Sequence, residues 1–260
     1  MAIELQPRGA EAREVAGPIV RMRGVSFSHG ALAVLTDIDL ELAAEEVVAV
    51  VGPSGCGKTT LLELVCGLRA PTAGELRAAP AALMPQRDLL LPWMDALDNA
   101  VLALRLAGEE RQRARERARP WFAEYGLAGF ERARPHELSG GMRQRVAFLR
   151  TLLSGRPVLC LDEPFGALDA ITRGQAQEWL AAALAHDPRA VLLVTHDVEE
   201  AVLLADRVLI YGPRPGRLQG ELAVTLPRPR RPTDPAVGAL RERALRVLRD
   251  WTGPAGVAPS

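Results

Sequence analysis

Val47-Val48-Ala49-Val50-Val51-Gly52-Pro53-Ser54-Gly55-Cys56-Gly57-Lys58-Thr59-Thr60 passes from an unbroken apolar run, through a glycine-rich loop, into a stretch of helical spacing. A short apolar run of this kind reads as a strand buried on both faces, and residues 59–66 read as a helix stopped by Gly67. Gly52 to Thr59 fits the pattern G-x-x-x-x-G-K-[ST], set between strand and helix as that pattern requires. Its glycines let successive backbone N–H groups point at phosphate oxygens, and the helix N-terminus adds roughly half a positive charge. Lys58 then bridges the outer phosphates, and Thr59 offers its hydroxyl to Mg2+. A glycine turn with an exposed lysine is the alternative, and it leaves the flanking strand and helix unexplained. Of 32 basic residues Lys58 is the only lysine, so whatever bias favoured arginine spared this one position. Cys56 lies inside the loop, where the field that binds phosphate is expected to favour a thiolate and make alkylation block ATP binding.

Outward from the loop, apolar runs at 81–84, 158–161, 191–194 and 208–211 alternate with helical stretches at 141–153 and 171–184. Buried strands alternating with helices predict an α/β fold with a parallel sheet. Residues 19–25 and 35–42 have β-like spacing and read as strands of an edge sheet, while a Pro-flanked stretch at 87–93 leads into a region to about 134 that is helical in composition. Residues 218–226 close the sheet, and Pro227, Pro229, Pro232 and Pro235 break up an arginine-rich linker. The last helix, 236–251, aligns Val237, Leu240, Ala244, Val247, Leu248 and Trp251 on one face, expected to dock on the chain's own core.

Two strand ends carry chemistry. The run 158–161 enters Asp162-Glu163, an expensive place for charge unless a cation compensates, so Asp162 is expected on the metal and Glu163 on an attacking water. Solvated acids at a strand-end turn would look the same locally. The run 191–194 is followed by Thr195-His196-Asp197, which puts His196 at the sheet end where open α/β folds bind ligands; a structural histidine is the alternative.

Leu138-Ser139-Gly140-Gly141-Met142 opens a second glycine-bearing helix and so a second anion site. A serine cap explains Ser139 but not the glycine pair. This pentapeptide matches the signature of ABC ATPases, and the rest of that family's set is present at matching spacing. Gln86 resembles the Q-loop glutamine, Asp162-Glu163 the Walker B end, Ala167-Leu168-Asp169 the D-loop and His196 the switch histidine; the likeness runs over about 19–226. It implies a P-loop NTPase (RecA-like) core at 18–86 and 155–226 with an antiparallel β edge subdomain, and an inserted helical subdomain at 87–154. A flexible arm at 1–17 and a Pro/Arg linker with the amphipathic helix at 227–260 flank these. It further implies ATP on Gly52, Ser54, Gly55, Cys56, Gly57, Lys58, Thr59 and Thr60, and Mg2+ on Thr59, Gln86 and Asp162. Glu163, His196 and Gln86 take catalytic roles, and Ser139, Gly140 and Gly141 serve ATP held by a second copy. The family's adenine-stacking aromatic is replaced by His29, with Phe27 as a possible substitute.

The stretches 85–100 and 162–169 are similar to ATPases of importers for nitrate, sulfonates, taurine and pyrimidine precursors. The implied partners are transmembrane permease subunits, a second copy of the chain when ATP binds, and indirectly a substrate-binding protein. The implied cargo is a pyrimidine precursor or sulfonate-like solute first, an inorganic anion second. Exporters and non-transport ABC ATPases are the alternatives; repair and chromosome versions carry long coiled coils for which 60–138 has no room, and ribosome factors usually carry two cassettes in one chain. Net charge is zero, with no nucleic-acid signature, three scattered cysteines, no apolar leader and no spanning run. The expected location is therefore the cytoplasmic face of the inner or plasma membrane, as a peripheral subunit.

Overall fold

The computed structural model describes residues 17–166 and 168–252. Residues 1–16 of the arm expected at 1–17, and Ala167 of the D-loop stretch, lie outside them. The elements are β1 (Val20–His29), β2 (Leu32–Leu42), β3 (Val47–Val51), α1 (Lys58–Val65), β4 (Ala73–Ala78), β5 (Ala81–Met84), α2 (Ala96–Ala100), α3 (Leu102–Leu106) and α4 (Arg111–Glu124). There follow α5 (Gly140–Leu152), β6 (Val158–Asp162), α6 (Ala170–His186), β7 (Ala190–Thr195), α7 (Val198–Leu204), β8 (Arg207–Tyr211), β9 (Leu218–Ala223) and α8 (Pro235–Thr252).

Two sheets result, one in the order β5-β6-β7-β3-β8-β9 and one in the order β2-β1-β4. In the larger sheet β5, β6, β7, β3 and β8 are parallel and β9 closes the edge antiparallel. Its central strands read as apolar runs because alternate residues feed two cores. Val47, Ala49 and Val51 pack toward the helical side with Leu159, Leu161, Val191 and Leu193. Val48 and Val50 pack with Cys160, Leu192 and α1 beneath the small antiparallel sheet.

Several sequence boundaries need correction. β1 runs on to His29, and β2 begins at Leu32, because the two form one hairpin with His29 opposite Leu32. β4 has no apolar alternation and is nearly all exposed; it exists by pairing with β1. The Pro-flanked stretch 87–93 is irregular, and the region after it is helical only over α2 to α4, stopping at Glu124; Asp95 caps α2, its carboxylate accepting from Asp98 N at 2.7 Å. α7 was missed, although Asp197 with Glu200 three residues on is a capping pattern; Asp197 Oδ1 accepts from Glu199 N at 2.9 Å. β9 ends at Ala223, and the arginines beyond it are partly structural. Arg230 donates to Val202 O at 2.9 Å and Ala205 O at 2.6 Å, filling the C-terminal end of α7. α8 lies against α7, β8 and β9 with Val237 and Ala244 buried. Among the described residues no helix is long and apolar enough to cross a membrane.

Candidate functional site

Strands β3, β6 and β7 lie side by side and parallel, so the segments leaving their carboxyl ends meet. This brings the loop 52–57, Asp162-Glu163 and Thr195-His196 to one edge of the sheet. A cleft of about 380 Å³ opens there, lined by His29, Leu32, Val34, Ser54, Gly55, Gly57, Lys58, Thr59, Thr60, Gln86, Asp162, Glu163 and Arg214.

The loop conformation needs its glycines. Gly57, with φ +101°, precedes α1, and a Cβ there would stand 2.7 Å from Leu35 Cδ2. Lys58 is buried along the loop, its Nζ donating to Gly52 O at 2.8 Å and Pro53 O at 3.0 Å. The expectation for Cys56 fails. Its thiol is fully buried among Leu61, Tyr211 and their neighbours, and burial pushes its pKa up against the opposing pull of Lys58. Neither thiolate character nor easy alkylation follows, and Cys56 is not among the residues that line the cleft.

Thr59 donates through Oγ1 to Asp162 Oδ2 at 2.8 Å. Burial holds the Asp162 carboxyl above its usual range, with Glu163 adding to the effect and Thr59 and Lys58 opposing it. A buried carboxylate beside a hydroxyl, both facing a phosphate loop, is a hard oxygen pair of the kind Mg2+ takes together with phosphate oxygens. Among the described residues no group of three or more His, Cys, Asp or Glu side chains is placed to hold a metal ion.

Glu163 follows directly, at φ +46°, a conformation disfavoured for a residue with a side chain. Its N–H donates to Val194 O at 2.8 Å, which ties the turn to β7. Gln86 Nε2 donates to Glu163 Oε2 at 2.8 Å, and His196 Nδ1 stands 3.3 Å from Oε1. One carboxylate thus joins Gln86, from the end of β5, to His196, from the end of β7.

His29 lines the cleft at the end of β1, whereas Phe27 is buried and meets His29 edge-on with centroids 5.1 Å apart. Ser139, Gly140 and Gly141 are not in this cleft. Ser139 caps α5, its Oγ accepting from Met142 N at 3.2 Å, and Ser139 and Gly140 are exposed. Asp169 caps α6 in the same way, accepting from Thr172 N at 3.0 Å and from Thr172 Oγ1 at 2.7 Å; these bonds hold its carboxyl below the usual range.

Sequence reasoning missed Arg214 and Glu200. Glu200, on α7, is 4% exposed, and one carboxylate oxygen has no partner. Burial first, and Asp197 second, push its pKa up to about 8, against the Thr195 hydroxyl and Arg173. An unfolded glutamate titrates near pH 4.3. The native protein therefore keeps a proton that the unfolded chain has lost, and its stability falls as pH rises through that window toward 8. Glu200→Gln removes this dependence. Urea unfolding of nucleotide-free protein should show the variant gaining on wild type by roughly 2–4 kcal/mol between pH 5 and 8; a pH-independent difference would contradict the buried neutral acid.

Comparison with known proteins converges. A family model described as ABC transporter matches residues 35–166. The chain is 45% identical over 232 residues to an aliphatic sulfonates import ATP-binding protein of Rhodococcus jostii, covering 86% of this chain and 91% of the relative. It is 47% identical over 233 residues to one of Nocardia farcinica, covering 88% and 94%. A taurine import ATP-binding protein of Yersinia pestis is 40% identical over 215 residues, covering 79% and 84%. Among solved structures, a dimeric ATP-binding cassette in a post-hydrolysis state with ADP and Pi has TM-score 0.72 at 27% identity, covering 80% of this chain and 99% of that one.

Proposed function

The chain belongs to the ABC transporter ATP-binding family, and from that premise we propose that it energises import of an aliphatic sulfonate-class organic solute by hydrolysing ATP in a two-copy sandwich. The observation that carries the ATPase reading is the convergence of Lys58, Thr59, Asp162, Glu163 and Gln86 on one cleft. The cargo reading rests on the similarity to sulfonate and taurine import proteins.

In this reading the loop 52–57 and Lys58 hold the polyphosphate, and His29 covers the base. Thr59, Asp162 and Gln86 would hold Mg2+, which supplies charge neutralisation on the phosphate oxygens. Glu163 accepts the proton of the attacking water, while Gln86 and His196 fix the carboxylate from either side. The signature residues Ser139, Gly140 and Gly141 present the N-terminus of α5 to ATP held by the second copy. Asp169 shapes the neighbouring turn.

Leu89 and Trp93 follow Gln86 and are 56% and 67% exposed. We assign this surface to the permease, so that motion at Gln86 reaches the membrane subunits. A substrate-binding protein would deliver cargo to that permease, with the ATPase peripheral on the cytoplasmic side.

Uptake of labelled alkanesulfonate, taurine and nitrate in cells lacking the gene tests the proposal. Loss of sulfonate uptake, restored by wild type and not by Glu163→Gln, is the expected result. Unchanged sulfonate uptake together with lost nitrate uptake would replace the cargo assignment.

A further inference from the structure

β8 runs parallel to β3 with Ile210 beside Val51, so the chain leaving β8 emerges next to the phosphate loop. The approach is close: a Cβ on Gly52 would stand 2.8 Å from Tyr211 O. A few residues on, Gly216 is paired with β2, its N–H donating to Val34 O at 2.8 Å and its carbonyl accepting from Thr36 N at 3.1 Å. A Cβ at Gly216 would lie 2.0 Å from Cys56 O, so only glycine passes there. The segment 212–217, Gly-Pro-Arg-Pro-Gly-Arg, is thereby pinned over the phosphate loop at both ends.

Arg214 sits in the middle of this strap and lines the cleft together with His29, Ser54 and Lys58. Its Nε donates to Gly55 O at 3.0 Å, and its Nη2 lies 3.0 Å from where a Cβ on Gly55 would stand. One bond therefore anchors a guanidinium whose outer nitrogens have donors to spare. The two acids lining the cleft, Asp162 and Glu163, contact Thr59, Gln86 and His196, and neither forms an ion pair with Arg214. Arg214 thus adds a second cation, beside Lys58 and the N-terminus of α1, on the phosphate-loop side of the cleft, a concentration of positive charge that favours an entering anion.

The geometry points to Arg214 as a further nucleotide-binding residue, whose guanidinium contacts the polyphosphate of the bound nucleotide from the β8–β9 strap. This rests on the reading of the cleft as the ATP site. An arginine suits the task because a planar fork can keep Gly55 O on one nitrogen and offer phosphate oxygens the others.

Calorimetric titration of ATP, adenosine and inorganic tripolyphosphate, at low and moderate salt, tests it with Arg214→Ala, Arg214→Gln, Arg214→Lys and Lys58→Ala. Arg214→Ala and Arg214→Gln are expected to weaken ATP and tripolyphosphate about tenfold, as loss of one charge-assisted contact does. Both should flatten the salt dependence and leave adenosine unaffected, and Arg214→Lys should recover part of the loss. Glutamine can still donate to Gly55 O, so wild-type affinity in Arg214→Gln with a loss in Arg214→Ala would reduce Arg214 to a prop for the loop and overturn the proposal. So would weaker adenosine binding with tripolyphosphate spared, which would place the guanidinium on the base. Normal binding in all Arg214 variants while Lys58→Ala fails would remove Arg214 and keep the cleft; normal binding in Lys58→Ala as well would remove the cleft itself.

Discussion

Glu163→Gln is expected to bind ATP and to lose turnover by about 10²- to 10⁴-fold, the usual weight of a general base. The amide keeps the length and shape of the side chain, so the turn at φ +46°, tied to β7 through Val194 O, has no reason to move. The amide keeps one oxygen for Gln86 Nε2 and turns its NH2 toward His196 Nδ1, which can accept when the imidazole is neutral on that nitrogen. What disappears is the negative charge that takes a proton from water. Its loss also relieves Asp162, whose carboxyl is raised partly by Glu163, so metal and nucleotide should be held at least as well as in wild type. Phosphate release, nucleotide binding and size-exclusion chromatography on one preparation check all three statements. The variant should elute as a dimer with Mg-ATP and as a monomer without it. Turnover within a fewfold of wild type would remove Glu163 from the base role.

The second large effect is expected at the signature helix. Ser139→Arg, made in the Glu163→Gln background, should leave ATP binding by the monomer intact and weaken the nucleotide-dependent dimer. Ser139 and Gly140 are exposed and stand apart from the chain's own cleft, so an arginine there obstructs nothing within one copy. In the proposed sandwich dimer the same position would meet the other copy's ATP. A bulky side chain there would close off the N-terminal N–H groups of α5, at a cost comparable to an interface hot spot, ~2 kcal/mol or about thirtyfold in dimer affinity. Ser139 also caps α5, and losing the cap costs ~1 kcal/mol of stability. Ser139→Thr, which keeps the cap without the bulk, is the control and should dimerise. A Ser139→Arg protein that dimerises normally with ATP would mean that α5 faces something other than the second nucleotide.

The site residues were legible to different degrees for physical reasons. Lys58, Thr59, Asp162, Glu163 and His196 lie at junctions where an apolar run stops and polar chemistry starts, and such junctions can be seen in one dimension. Ser139 and Asp169 were found through likeness to a family; each proves to be a helix cap, a local role that a short peptide suffices to encode. Cys56 was misjudged because loop membership says nothing about which way a side chain turns. Its thiol faces Leu61 and Tyr211, and only the packed interior decides that desolvation outweighs the lysine beside it. Glu200 was overlooked because a helix that looks polar at its start gives no sign that α6 and β7 will cover it.

By itself the sequence determined the unbroken central strands, the glycine loop with the start of α1, and a second helix, α5, opened by a serine cap and a glycine pair. Periodicity, glycine and capping are all set within one turn or one strand. Tertiary structure alone decided that β4 is a strand, that Gln86 and His196 share one carboxylate, and that the strap carrying Arg214 crosses the loop at Gly55. Each of these depends on which strands become neighbours in the order β5-β6-β7-β3-β8-β9, and that order is chosen by burying all the apolar faces at once. No local stretch contains it.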